Sequence, residues 1–257
     1  MHIQSGILLE SLSDVGCQRQ NNEDCYGSWQ SSSADEFARK GLLVVVADGM
    51  GGYEGGQEAS RIAVETLQRI YSQPSATAPQ TLLTRGLIEA HSRIKQYAIE
   101  HPALLGMGTT CTAAAVVGKS LYYGHVGDSR LYLIRNGEIS RLTRDHSYVG
   151  RLVESGAISP EEAEIHAQRH ILTAALGAGD EIIPDVPDQA IQLQENDILV
   201  LCSDGLWGQV SDPEIAKIAS SASPAQACRE LVQLARARGG PDNITVQVLA
   251  FATSEAE

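Results

Sequence analysis

The 257-residue sequence has no long apolar run. Its strand-like block LLVVVA, residues 42–47, falls far short of the ~20 residues that a membrane helix needs, so no membrane span is expected. The opening residues MHIQSGILLESLSDVG lack a basic start followed by an apolar block and a small-residue cleavage site, which argues against secretion and for a cytoplasmic address. Paired cysteine spacing is missing too. Cys17, Cys25, Cys111, Cys202 and Cys228 are odd in number and contain no CxxC, the pattern of reduced structural thiols rather than of a disulfide framework. Positive charge is scarce: 19 Lys and Arg against 32 Asp and Glu leave a formal charge of -13, which repels polyanions and argues against a nucleic-acid partner. Without a repeat, a low-complexity tract or a linker, residues 1–257 are read as a single domain.

What is present is the balance of a folded protein, 43% hydrophobic and 20% charged residues. Apolar, β-branched runs ending in Gly or Asp predict strands at residues 7–12, 42–47, 110–117, 121–126, 131–134, 198–202 and 244–251. Ala59, Ile62, Ala63, Thr66, Leu67 and Ile70 recur at helical spacing, as do Leu83, Leu87, Ala90, Ile94 and Ala98. A third stripe, Cys228, Leu231, Val232 and Ala235, follows Ser223, Pro224 and Gln226, the start of a capping box; Ser211 with Glu214, and Ser159 with Pro160 and Glu162, repeat the device. Polar residues 31–40 read as a long hairpin loop and 72–79 as an interhelical loop. Strands in runs, with helices grouped rather than alternating, predict an α+β fold: a central antiparallel β-sandwich with helices outside it.

Four segments share one design. VVVADGMGG brings Asp48, YYGHVGDSR brings Asp128, LVLCSDGLW brings Asp204 and GGPDNITV brings Asp242. A carboxylate at the end of a buried strand is fixed by the sheet yet aims out of its rim, and the glycine beside it lets a main-chain carbonyl approach a ligand. Asp-Gly alone equally makes a hairpin turn. Taken together, however, acids that follow apolar strands directly carry a desolvation cost and would raise one another's pKa on converging, a cost that bound cations offset. Oxygen-only donors suit Mg²⁺ or Mn²⁺, and no His/Cys spacing for zinc exists. In SDVGCQRQNNEDCYG, Arg19 offers a fork of donors matching a phosphate, and Glu23 and Asp24 reach the same rim if that segment leads into a strand.

Read end to end, the chain resembles the metal-dependent protein phosphatases of the 2C type in their compact bacterial form. SDVGCQRQNNED, VADGMGG, GTTCTAAAV, GHVGDSRLYLIRNG, LTRDHS, LVLCSDGLW and GGPDNITV stand in that family's order and spacing. The resemblance implies a β-sandwich flanked by helix pairs, with two metals at one end. It implies that Asp48 bridges both, that the Gly49 carbonyl binds one, that Asp204 and Asp242 complete the other, and that Asp24 with Glu23 holds water behind them. It further implies a third, weaker metal at Asp128 shared with Asp204, and Arg19 clamping the substrate phosphate. Asn243, His146, Ser129 and Arg130 fall in the motifs as loop supports. The implied chemistry is direct attack on phosphorus by a hydroxide bridging two metals, without a phosphoenzyme. The CxxxxxR spacing of thiol phosphatases is absent. Residues 147–177 correspond to the family's flap, where His166 and Arg169 would meet the phosphoprotein. Two departures stand out: Tyr53 where relatives often carry His, and Ala167 where proline commonly follows His166.

The expectation is a monomeric serine/threonine protein phosphatase opposing a protein kinase. A silent phosphoprotein-binding or metal-sensing module on the same fold is the alternative, against which every metal-position acid is intact. A two-metal nuclease is disfavoured by charge.

Overall fold

Strand composition explains the architecture. In residues 42–47 Leu42, Val44 and Val46 face one layer while Leu43, Val45 and Ala47 face another, and each set is packed in its own core. A strand covered on both sides has no polar face, which is why these runs do not alternate. The computed structural model describes residues 2–3, 6–52, 54–73 and 77–251. In chain order its elements are β1 (His2–Ile3), β2 (Ile7–Asp14), β3 (Asp24–Gln30), α1 (Ala34–Lys40), β4 (Leu42–Met50), α2 (Glu54–Ser72), α3 (Pro79–Glu100), β5 (Gly108–Thr109), β6 (Cys111–Val117), β7 (Ser120–Val126), β8 (Arg130–Arg135), β9 (Glu138–Arg141), α4 (Tyr148–Glu154), α5 (Pro160–Glu164), β10 (Ile191–Gln192), β11 (Ile198–Cys202), α6 (Asp204–Trp207), α7 (Asp212–Ser221), α8 (Pro224–Ala237) and β12 (Ile244–Phe251).

One sheet runs β1-β2-β12-β11-β8-β9 and the other β10-β7-β6-β4-β3, with β5 beside the end of β4. Every strand pairing recorded in them is antiparallel. Leu42, Val44, Val46, Leu131, Leu199, Leu201 and Leu249 fill the space between the sheets. α2 and α3 cover the outer face of the second sheet through Ile62, Leu67, Leu83, Leu87 and Ile94. α7 and α8 cover the first through Ile215, Leu231 and Val232. This is the expected sandwich between helix pairs. Among the described residues no helix is long and apolar enough to cross a membrane.

The caps are largely as read. Ser159 with Glu162, and Ser211 with Glu214, form complete capping boxes. At Ser223 only half forms, because the Gln226 side chain turns to Glu230 instead.

Residues 31–40 differ from the expected loop: α1 occupies 34–40, with Asp35 and Glu36 in its first turn and Arg39 and Lys40 in its last, charges that suit the helix dipole. Its anchor is the buried Lys40, whose Nζ donates to Tyr71 O at 2.7 Å, to Gln73 O and to Glu36 Oε1 at 2.8 Å, and lies 5.3 Å from the centre of the Trp29 ring. A buried lysine with that many partners is a tertiary feature that polarity along the chain does not reveal. The loop between α2 and α3 is present as read, apart from residues 74–76, which fall outside the described ones.

Candidate active site

The acids meet where the strands end. β3 pairs with β4 so that Asp24 lies opposite Asp48, and both half-buried carboxylates face the same rim. Across the sandwich β11 ends at Cys202, and Ser203 N–H donates to Thr245 O at 3.1 Å, which sets Asp204 at the start of α6. Asp242 and Asn243 precede β12, and Asp128 lies in the turn from β7 to β8. One cleft of about 830 Å³ is lined by Arg19, Glu23, Asp48, Gly49, Asp128, Asp204, Asp242 and Asn243. The structure therefore brings together every sequence-predicted acid except Asp24, which sits one layer behind with Oδ2 accepting from Ser203 Oγ at 2.7 Å.

Gly49 is required by packing. A Cβ there would lie 2.1 Å from Gly56 O and 2.6 Å from Glu23 O, so α2 rests directly on the strand end. Its N–H donates to Glu23 O at 3.2 Å, and Ser60 Oγ donates to the same oxygen at 2.6 Å.

Crowding shows in the acids' proton affinity. Burial pushes the Asp24 carboxyl up to about 7, the nearby Asp204 and Asp242 charges adding to it and the Thr245 and Ser203 hydroxyls opposing it. Burial, then Asp242, raises Asp204 to about 6, opposed by Asp48, Arg19 and Arg130. Asp48 is held well above the usual carboxylate range by burial and by Asp24, Asp204 and Asp128. Asp128 is likewise raised, by burial and by Asp204 and Asp145. Asp24 Oδ1 and Asp204 Oδ1 are buried without a hydrogen-bond partner. Unpaired buried carboxylate oxygens beside one another are costly unless a cation joins them. Hard divalent ions fit such oxygens. Among the described residues no three His, Cys, Asp or Glu side chains close on one point by themselves. Asp242 is drawn aside, accepting from Arg19 Nη2 at 2.8 Å and from Asn243 N at 2.8 Å, so a cage here needs main-chain oxygens and water as well.

A model of the family described as protein phosphatase 2C matches residues 18–244. The chain belongs to this family. It is 36% identical over 253 residues to protein phosphatase PhpP of Streptococcus pneumoniae serotype 2, covering 97% of this chain and 99% of PhpP. Among solved structures, serine/threonine phosphatase Stp1 from Staphylococcus aureus superposes with a TM-score of 0.86 at 32% identity, covering 99% of both chains. The catalytic domain of PstP in complex with two manganese ions gives 0.82 at 33% identity, covering 96% of this chain and 99% of that one. Protein phosphatase 2C enzymes are metal-dependent.

The loop supports of this phosphatase 2C chain are in place. Asn243 Oδ1 accepts from Glu23 N at 2.8 Å while its Nδ2 donates to Val15 O and Asn21 O, tying the Arg19 loop to Asp242. His146 Nδ1 accepts from Gly127 N at 3.2 Å, and Nε2 faces Asp185 Oδ2 at 3.2 Å. Arg130 grips Asp145 through two nitrogens and lies 3.6 Å over the Trp207 ring. Three groups not singled out from sequence also hold the centre: Ser203, already described, Trp207, whose Nε1 donates to Asp128 O at 2.9 Å, and Thr110. Thr110 Oγ1 accepts from Asp48 N at 2.9 Å and shares a 2.7 Å bond with Ser129 Oγ, linking the Asp48 and Asp128 loops. Thr110→Val leaves the Asp48 N–H unpaired and should destabilise the fold by about 1–3 kcal/mol and lower turnover, with Thr110→Ser restoring both; urea unfolding and steady-state kinetics check it.

The flap region leaves and rejoins the body at a Ser147–Leu172 bridge. His166 is half-buried, its ring centre 6.3 Å from that of Tyr148 and its Nδ1 accepting from Gln168 N at 3.1 Å, and it does not line the cleft; Arg169, also read from the sequence, and His170 do. Tyr53 lies outside the described residues.

Proposed function

We infer that this chain is a cytoplasmic protein serine/threonine phosphatase, acting as a monomeric single domain over residues 1–257 on phosphoserine and phosphothreonine monoesters made by a cognate kinase. The observation that carries the reading is the convergence of Asp48, Asp128, Asp204 and Asp242 from separate strand ends on one cleft, two of the surrounding acids keeping a buried, unpaired oxygen. Asp48, the Gly49 carbonyl, Asp204 and Asp242 would hold two ions, Mg²⁺ or Mn²⁺, with Asp24 and Glu23 behind them; Asp128 with Asp204 would hold a third. Such ions, when bound, supply charge that offsets the phosphate's and activate water for in-line attack.

The chain's own residues do the rest. Arg19, about half exposed, bonds Asp242 through Nη2 and presents the rest of its fork to the cleft, suited to the phosphate's equatorial oxygens. Ser203 and Thr245 keep Asp24 in place, and Trp207 fixes the main chain at Asp128. Thiol chemistry finds no support: Cys111 and Cys202 are buried with their thiols pushed up by burial, Cys228 is pushed up to about 12, and Cys17 does not line the cleft. Purified protein should release phosphate from phosphoserine peptides with added Mn²⁺ or Mg²⁺ and stop in EDTA. Undiminished release in excess EDTA would refute the reading, and tight phosphopeptide binding without turnover would favour the silent module.

A further inference from the structure

The cleft extends past the acids, and its two ends differ in chemistry. Arg19, Asp242 and Asn243 stand on the side of the first sheet. On the other side the walls come from residues 49–52 and 172–182, where Glu181, at the surface, is the only charged residue among the lining ones. Met50, Leu172, Ala174, Ala178 and Ile182 make that end apolar.

This wall is preformed. Leu176 and Thr109 exchange main-chain bonds of 3.0 and 2.9 Å, which fixes the flap's return to β5. Gly177 follows with φ +87, and a Cβ there would lie 2.5 Å from Ile94 Cγ2, so the turn fits only glycine. Its N–H donates to His91 Nδ1 at 3.2 Å, and Lys95 Nζ donates to Gly179 O at 2.7 Å. Both anchors come from α3, a helix packed on the sheet core. Ala174, half-buried, and Ala178, exposed, present only small side chains to this wall.

A phosphate held among the acids and Arg19 fixes where its serine or threonine sits. The flanking residues of an extended peptide then follow at ~3.3 Å each, with side chains on alternate sides, and one of them points into the apolar end. A lysine or arginine there finds no buried partner, whereas an aliphatic group leaves water. We propose that this end of the cleft is a specificity subsite for an aliphatic side chain flanking the phosphorylated residue, with Met50, Ala178 and Ile182 as its walls. The subsite rests on the phosphatase reading above.

The test is kcat/KM with Mn²⁺ on phosphoserine peptides carrying leucine or alanine at each of the two positions on either side of the phosphorylated residue. Leucine should exceed alanine by about tenfold at one position. In Ala178→Phe, which fills the space, and in Ile182→Ser, which removes a wall, that ratio should fall toward one. Equal rates for leucine and alanine at every position in the unaltered protein, or a ratio that survives in both variants, would overturn the subsite while leaving the phosphatase reading intact. No turnover of any peptide would overturn both.

Discussion

Asp204→Asn should lower phosphopeptide turnover by roughly 10³-fold or more, because it removes a charge from the group proposed to hold cations against the phosphate, and each 1.36 kcal/mol of lost transition-state stabilisation is tenfold in rate. The same change should make the metal-free protein more stable. Asp204 Oδ1 is buried and unpaired, and its charge raises Asp24, Asp48 and Asp128. An amide keeps the shape and ends that repulsion. Kinetics with Mn²⁺ and thermal unfolding in EDTA, run on the same preparation, therefore should move in opposite senses. A variant that loses both activity and metal-free stability would mean that Asp204 is a structural acid.

How far the sequence could be read depended on how local the physics was. The buried strands were legible because apolar side chains on both faces leave nothing else for residues 42–47 or 198–202 to do. Asp48, Asp128, Asp204 and Asp242 were legible because each lies at or within two residues of the end of a buried strand. β3 was reachable only by inference, since Asp24–Gln30 is a half-exposed edge strand, DCYGSWQ, whose reason to be a strand is its partner β4. α1 was hidden because a buried lysine bonded to the end of α2 holds it. The positions of His166 and His170 turn on how the chain bends after α5, which no periodicity encodes. Ser203, Thr110 and Trp207 lie inside quoted motifs, yet their bonds to Asp24, Asp48 and Asp128 join residues 62 to 179 positions apart.

Stability of the metal-free protein should fall as pH rises from 6.5 to 8, the reverse of what a salt-bridged carboxylate gives. Asp24 binds its proton up to about 7 in the folded chain, against 3.8 for an ordinary aspartate, and Asp48 and Asp128 are held well above that value. In that window the folded state carries more protons than the unfolded state. The stability linked to these acids is fully present below about 3.8 and is lost as pH passes through the folded values. Below 6.5 the effect is partly offset by His125, whose burial lowers it to about 4, and by His91 and His170, held low chiefly by burial, since folding expels protons from them there. Above 6.5 the acids outweigh these histidines, whose unfolded forms have by then lost half or more of their protons. One proton of difference is about 1.4 kcal/mol per pH unit, roughly 3–6 °C in Tm for a chain of this size. Mn²⁺ competes with the same protons, so its stabilisation should grow over the window and flatten or invert the slope. Melting curves in EDTA and in Mn²⁺ at pH 6.5, 7.25 and 8 measure both slopes, and Asp24→Asn should flatten the EDTA series. A metal-free Tm that climbs across the window would show that the acids at the rim are apart rather than crowded.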